Sequence, residues 1–170
     1  MALTYTNYGT YAAAVEYFSH RLHETSWTGA SVSDREKSLI LATTLIDALN
    51  FKGVKSSVYL IGEDADSDAL AAAEASQVLE FPRGSDTVVP SAIERATYEI
   101  AYSLLDGKDP EAELESLMVT GQTYAQVKTT YDRNMIPVDH VVNMIPSSVA
   151  WTLLVPFLRD SDSIKLSRVS

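Results

Sequence analysis

Hydrophobic positions recur at three- and four-residue steps through most of this chain, the spacing that gathers them on one face of a helix. Tyr11, Val15, Phe18 and Leu22 follow it and predict a first helix from about Thr10 to His23. A loop from Glu24 to Val32 carries Trp27 and Gly29. Ser33-Asp34-Arg35-Glu36 then reads as a capping box, in which hydroxyl and carboxylate each satisfy an orphan backbone N–H. The helix it opens sets Leu39, Ala42, Ile46 and Leu49 on one face, with Ile40, Leu41, Leu45 and Ala48 beside them. Such a helix is apolar over more than half its circumference. It is expected at the centre of its domain or against a neighbouring subunit.

Residues 54–78 read as an elaboration: a short strand at Ser57-Val58-Tyr59-Leu60-Ile61, an acidic loop from Asp64 to Asp68, and an Ala-rich helix from Ala69 to Gln77. Leu79-Glu80-Phe81-Pro82-Arg83 forms an extended connector. Pro90 begins the next helix, where a missing N–H costs nothing, and Ile93, Ala96, Ile100, Ala101, Leu104 and Leu105 make its buried stripe before the stop at Asp106-Gly107. Asp109-Pro110-Glu111 restarts a short helix that ends near Leu117.

From Met118 to Asp132 the period changes to two. Gly121 divides the stretch, and Ala125, Val127, Thr129 and Tyr131 share one side, as in a β-hairpin or a long extended arm. Residues 133–145, with Pro137, read as irregular. Pro146 opens a last helix carrying Val149, Leu153, Leu154 and Leu158 and perturbed by Pro156. The tail from Arg159 to Ser170 has only sparse apolar residues such as Ile164 and Leu166, too few to order it unaided. The expected fold class is therefore mainly α: a small helical bundle with a β-hairpin or extended arm. Its helical domain spans 1–158, with an insertion at 54–78 and the arm at 118–132, and a docking tail follows at 159–170.

A chain of 170 residues is most simply one domain. At 46% hydrophobic and 21% charged residues it has the composition of a globular protein. It contains no Cys, which excludes disulfides and thiolate metal sites. No apolar run approaches the ~18 residues that span a bilayer, and Met1-Ala2-Leu3-Thr4-Tyr5 lacks the basic and apolar regions of a signal peptide, so no membrane partner is expected. Against 13 bases stand 23 acids, for a net charge of -10. That balance opposes phosphate binding over the molecule as a whole and leaves a partner with basic patches as the complementary match.

Candidate chemistry is sparse. Asp64-Ala65-Asp66-Ser67-Asp68 imitates the start of a calcium loop, but Ala69 and Ala75 occupy the positions that need a Gly and a bidentate Glu. The plain reading is a solvated loop in which Ser67 or Asp66 caps the next helix. His20 and His23, near Glu16 and Glu24, have zinc-like spacing, but only His140, beside Asp139, remains as a third His. No nucleophile elbow or phosphate loop is present, and acid pairs such as Glu111 and Glu115 arise by chance among so many acids. No catalytic residue, metal or cofactor is assigned, and no enzymatic activity is expected. Arg21, Trp27, Phe81 and Arg83 have the chemistry to stack single-stranded bases; as an alternative they plug the edge of a core.

Taken together, the aromatic first helix ending in Arg21, then Trp27, Ala42-Thr43-Thr44-Leu45-Ile46-Asp47-Ala48-Leu49 and Phe51-Lys52-Gly53, lead to Leu79–Arg83 and Val89-Pro90. With the strand segment and the Pro-started last helix, this order resembles the tailed-phage proteins often labelled DnaT-like single-stranded-DNA-binding proteins. Those are similar to head–tail connectors, or adaptors. The likeness covers most of the chain outside 54–78 and lies in structural rather than catalytic motifs. It implies a virion protein of the neck, assembled in the host cytoplasm as a homo-oligomer, a dodecameric ring. That ring docks under the portal protein, supports a tail or nozzle protein and passes double-stranded DNA during ejection. Docking is expected through Ile164, Lys165, Leu166 and Arg168 of the tail and through Tyr124, Val127 and Tyr131 of the arm. Contacts between subunits are expected at Ile40, Leu41 and Leu45. The alternative the resemblance carries is a single-stranded-DNA-binding protein, and the acidic balance weighs against it.

Overall fold

Two long helices set the frame of the computed structural model, which describes residues 6–62, 64–118, 121–124, 127–130 and 139–159, the backbone alone for 117–118 and both strands. One of them, α3 (Val32–Asp47), lies against the other, α6 (Ser91–Leu105), whose further side receives α9 (Ser148–Leu154). Ile93, Ala96, Ile100 and Ala101 of α6 are fully buried, as their spacing predicts, while Leu104 and Leu105 at the last turn are half-buried. Pro90 sits one place earlier than expected, at the cap, where its carbonyl accepts from the Ile93 N–H.

The first helix, α1 (Tyr11–Ser19), is shorter than its periodicity suggests. Thr10 caps it by accepting from the Ala13 N–H. At its other end the N–H groups of His20 and Arg21 bond three residues back, to Tyr17 and Phe18, and His23 turns to φ 59°. The turn carries Leu22 out of the stripe, leaving it 83% exposed. Ala14 and Phe18 are the buried residues of this helix, not Val15. A single turn, α2 (Thr25–Thr28), then places Trp27 in the core, its ring stacked 4.4 Å from that of Phe18.

The cap of α3 is Ser31, two residues before the predicted Ser33. Its hydroxyl accepts from the Asp34 N–H at 3.2 Å and donates to the Asp34 carboxylate at 2.7 Å. That bond, and then Lys37, hold the Asp34 carboxyl below its ordinary range.

Ser57–Ile61, expected as a strand, belongs instead to a helix, α4 (Ser56–Ile61). The Ser56 N–H bonds the Pro82 carbonyl and the Ser57 N–H bonds Oε1 of Gln77, so two donors that a first turn leaves open are met from elsewhere in the chain. Helix α5 (Ser67–Ser76) packs on α4, and Asp66 caps it by accepting from the Ala69 N–H at 2.8 Å. No residue of α5 is buried.

After α7 (Pro110–Met118), β1 (Gly121–Tyr124) and β2 (Val127–Thr130) pair antiparallel, with Gly121 opposite Thr130 and Tyr124 opposite Val127. Of the two forms open for this region, the hairpin is the one adopted. A one-turn helix, α8 (Asp139–Val142), occupies part of the stretch expected to be irregular. Ser147 caps α9, and Pro156 falls in a following 3-10 turn, Val155–Phe157. Ala150 and Leu154 are the buried residues of α9; Leu153 and Leu158 pack against the core, and Val149 points outward. The chain then returns beside Asn50–Lys52: Lys52 donates its N–H to Phe157, and Arg159 to Asn50. Among the described residues no helix is long and apolar enough to cross a membrane.

Candidate functional site

The connector Leu79–Arg83 is the node through which distant parts of the chain meet. Phe81 is buried with its ring edge-on to Tyr8, Phe51 and Phe157, centroids 6.0, 4.7 and 5.6 Å away. Its N–H donates to the Tyr8 hydroxyl at 3.2 Å, and that hydroxyl donates to Asp47 at the end of α3. The Tyr8 N–H in turn bonds the Thr43 hydroxyl at 3.1 Å. Burial is the main force on both titrating groups, raising the Asp47 carboxyl and the Tyr8 phenol above their ordinary values.

Beside this node the insertion is clasped by polar groups. The Gln77 amide donates to the carbonyls of Leu79 and Pro82 at 3.0 and 2.8 Å. Lys55 reaches the Gln77 carbonyl at 3.1 Å and Glu80 at 3.3 Å. Arg83 bonds Glu80 and the carbonyls of Lys52 and Gly53, with its guanidinium over the Phe51 ring.

These contacts decide between the two readings of Arg21, Trp27, Phe81 and Arg83. Trp27 and Phe81 are interior. Arg21 forks onto Glu99 and lies 4.1 Å over the Tyr102 ring, and Arg83 is tied to three acceptor residues. The four pack in the core and at its edges, with both guanidiniums engaged by acceptors of the chain.

Elsewhere the titrating groups stay apart. His20 Nδ1 lies 3.0 Å from the Ser19 hydroxyl and from the Glu16 carbonyl, positions of local helix-end bonding. Among the described residues no three His, Asp or Glu side chains converge as metal ligands, so His20, His23, His140 and the acidic loop do not meet. A cavity of about 510 Å³ opens between Leu49, Asn50, Asp139, Asn143, Trp151 and Arg159.

The three residues expected between subunits divide. Leu41 is 48% exposed and Ile40 half-buried, and with Lys37 and Thr44 they line a shallow depression of about 460 Å³ on the outer side of α3. Leu45 turns inward against the core. Tyr124 and Val127 are cross-strand partners at the turn end of the hairpin. Tyr131, Ile164, Lys165, Leu166 and Arg168 lie outside the described residues.

Two features were not read from the sequence. One is the buried Glu99, which accepts from Arg21 and Tyr17. The other is the apolar end of α4, where Tyr59, Leu60 and Ile61 are exposed although their residue types favour a buried strand. Comparison with protein-family models, curated proteins and solved structures finds no match.

Proposed function

We propose that this protein is a structural building block of the head–tail adaptor type, a subunit of a ring that docks on a portal and carries the tail, with no catalysis of its own. The observation that carries this reading is the division of α3. Leu39, Ala42 and Ile46 complete the core, while Ile40 and Leu41 remain as an apolar depression on the outer face. A patch of this kind on one side of a subunit suits a heterologous contact, which closes into rings when repeated. The hairpin Gly121–Thr130 offers a second element for reaching a neighbour. A net charge of -10 suits a conduit, because negative walls do not retain a passing polyanion.

The test is native mass spectrometry of the full chain mixed with the portal protein encoded in the same genome. A ring of many copies on the portal, lost in an Ile40→Asp/Leu41→Asp variant that keeps its helix content, is the expected result. No complex at any concentration, or tight salt-sensitive binding of a single-stranded oligonucleotide by the free chain, would overturn the reading.

A further inference from the structure

The bonding of Asp47 leaves one of its carboxylate oxygens unused. Both groups that donate to it, the Tyr8 hydroxyl and the Glu80 N–H, reach the same atom, Oδ1. Among the described residues nothing donates to Oδ2, and no Lys or Arg side chain pairs with this acid. Lys55, whose charge reaches Asp47, bonds Glu80 and the Gln77 carbonyl instead. Burial raises the Asp47 carboxyl, so its charge is the costly form as long as no cation stands beside it.

This acid lines a small cavity. Ile40, Thr43, Thr44 and Asp47 of α3, with Val78 and Leu79, surround about 210 Å³. That is below the ~300 Å³ at which pockets take whole small molecules, and it suits the end of one side chain. Thr43 and Thr44 already donate their hydroxyl protons to the carbonyls of Leu39 and Ile40, so Asp47 is the polar group still open to a guest. One carboxylate among the aliphatic walls of Ile40, Val78 and Leu79 matches a cation carried on an aliphatic stem. Ile40 and Thr44 also line the depression that holds Leu41 and Lys37, so the two hollows share a wall on α3.

We propose that this cavity is a binding site for an alkylammonium group, supplied by a lysine-type side chain of a basic protein partner that docks over α3. The ammonium meets Asp47, its stem lies against Ile40, Val78 and Leu79, and an aliphatic neighbour on the partner covers Leu41, roughly 9 Å along the helix. A free diamine is the poorer match. Lys37 stands at the depression, and Asp34 is already held by Lys37 and Ser31, so a second ammonium finds no open acid there. Lys37, Lys55 and Lys108 are bonded within their own chain, which leaves a second copy poorly supplied with free ammonium groups, whereas a net charge of -10 favours a basic partner. The preference for a cation is a property of the free chain; that the guest comes from a docked partner rests on the reading of α3 as a contact face.

Titrating the isotope-labelled full chain with n-hexylammonium should move the amide signals of Thr43, Thr44, Asp47, Val78 and Leu79 to saturation. Hexanol and hexanoate, which share the stem without the cation, should bind at least roughly tenfold more weakly. Asp47→Asn should reduce the ammonium to the level of the alcohol. So should Val78→Lys, which sets a cation at the exposed wall and leaves the bonds of Asp47 in place; circular dichroism checks helix content in both. Acetyl-leucyl-alanyl-lysine amide should bind more tightly than its glutamine counterpart and than putrescine. Equal binding of the alcohol, an ammonium response spread over every acidic surface, or an unchanged response in Asp47→Asn would each overturn the site. Putrescine binding more tightly than the peptide would assign the cavity to a free polyamine, and the same shifts on concentrating the chain alone would assign it to a second copy; either overturns the partner. None of these readouts needs a ring, so a failure to assemble on a portal would leave them standing.

Discussion

Arg21 grips Glu99 with two nitrogens, Nε and Nη2, each 2.9 Å from a different carboxylate oxygen, and so fastens the turn after α1 to the middle of α6. Tyr17 donates to the same carboxylate at 2.6 Å. Glu99 is almost wholly buried, with a side-chain exposure of 5%. Removing one partner of such a pair leaves the other desolvated and unmatched. Glu99→Ala should therefore destabilise by about 3 kcal/mol, lowering the melting temperature by roughly 6–12 °C. Tyr17→Phe should cost only about 1 kcal/mol, because the guanidinium still neutralises the carboxylate. Thermal unfolding by circular dichroism separates the two, and equal losses would show that the tyrosine rather than the ion pair dominates.

Gly9 admits no side chain. At φ 74° it occupies the left-handed region, and a Cβ there would stand 2.1 Å from the Tyr98 hydroxyl oxygen and 2.9 Å from the ring carbon that bears it. Gly9→Ala should destabilise by about 2 kcal/mol through strain and displacement of Tyr98. Combining it with Tyr98→Phe should recover part of the loss, since the closest atom is gone while the ring remains. Full recovery would mean that the backbone angle costs nothing.

Asp47 provides a pH signature. Burial raises its carboxyl in the folded state, so the charged form is disfavoured there relative to the unfolded chain. Its contribution is then most favourable below the ordinary carboxylate range and is lost as pH rises through the raised value. Asp47→Asn keeps an acceptor for the Tyr8 hydroxyl and the Glu80 N–H without the charge. The melting temperature of the variant minus that of the native chain should become more positive between pH 4 and pH 7. A constant difference, or one of opposite slope, would remove burial as the governing cause.

Gln77 should control the insertion without controlling the core. Its side chain satisfies the Ser57 N–H and two carbonyls of the connector. In Gln77→Ala, hydrogen exchange should accelerate by tenfold or more through 56–76, equivalent to roughly 1.4 kcal/mol or more, while α3 and α6 keep their protection. Acceleration throughout all of them would make the clasp part of the global fold.

How far the sequence disclosed this molecule depended on where each signal originates. The stripe on α6 was legible because Ile93, Ala96, Ile100 and Ala101 face the core at helical spacing, a property local to the segment. Ser57–Ile61 was not. Its β-branched and aromatic residues favour a strand, but the groups that complete its first helical turn come from Gln77 and Pro82. Ser31 and Ser33 illustrate a nearer ambiguity, since each begins a Ser-x-x-acid run and only packing chooses between them. Glu99 was hidden for a third reason: its partners lie 78 and 82 residues away, and a lone glutamate in a helix normally faces water. Of the candidate surface, Ile40 and Leu41 were anticipated from the over-wide apolar face of α3. Leu45 turned inward because that face also meets the interior.

Lys55 and Gln77 touch, so the polypeptide comes back from α4 and α5 to the spot it left. Everything between them is a detour with a narrow neck. Such a neck can be opened beyond Ser57 to receive a foreign module, with the bonds of Ser56 and Ser57 to Pro82 and Gln77 left in place. A reporter domain spliced there would stand clear of the core that α3, α6 and α9 build.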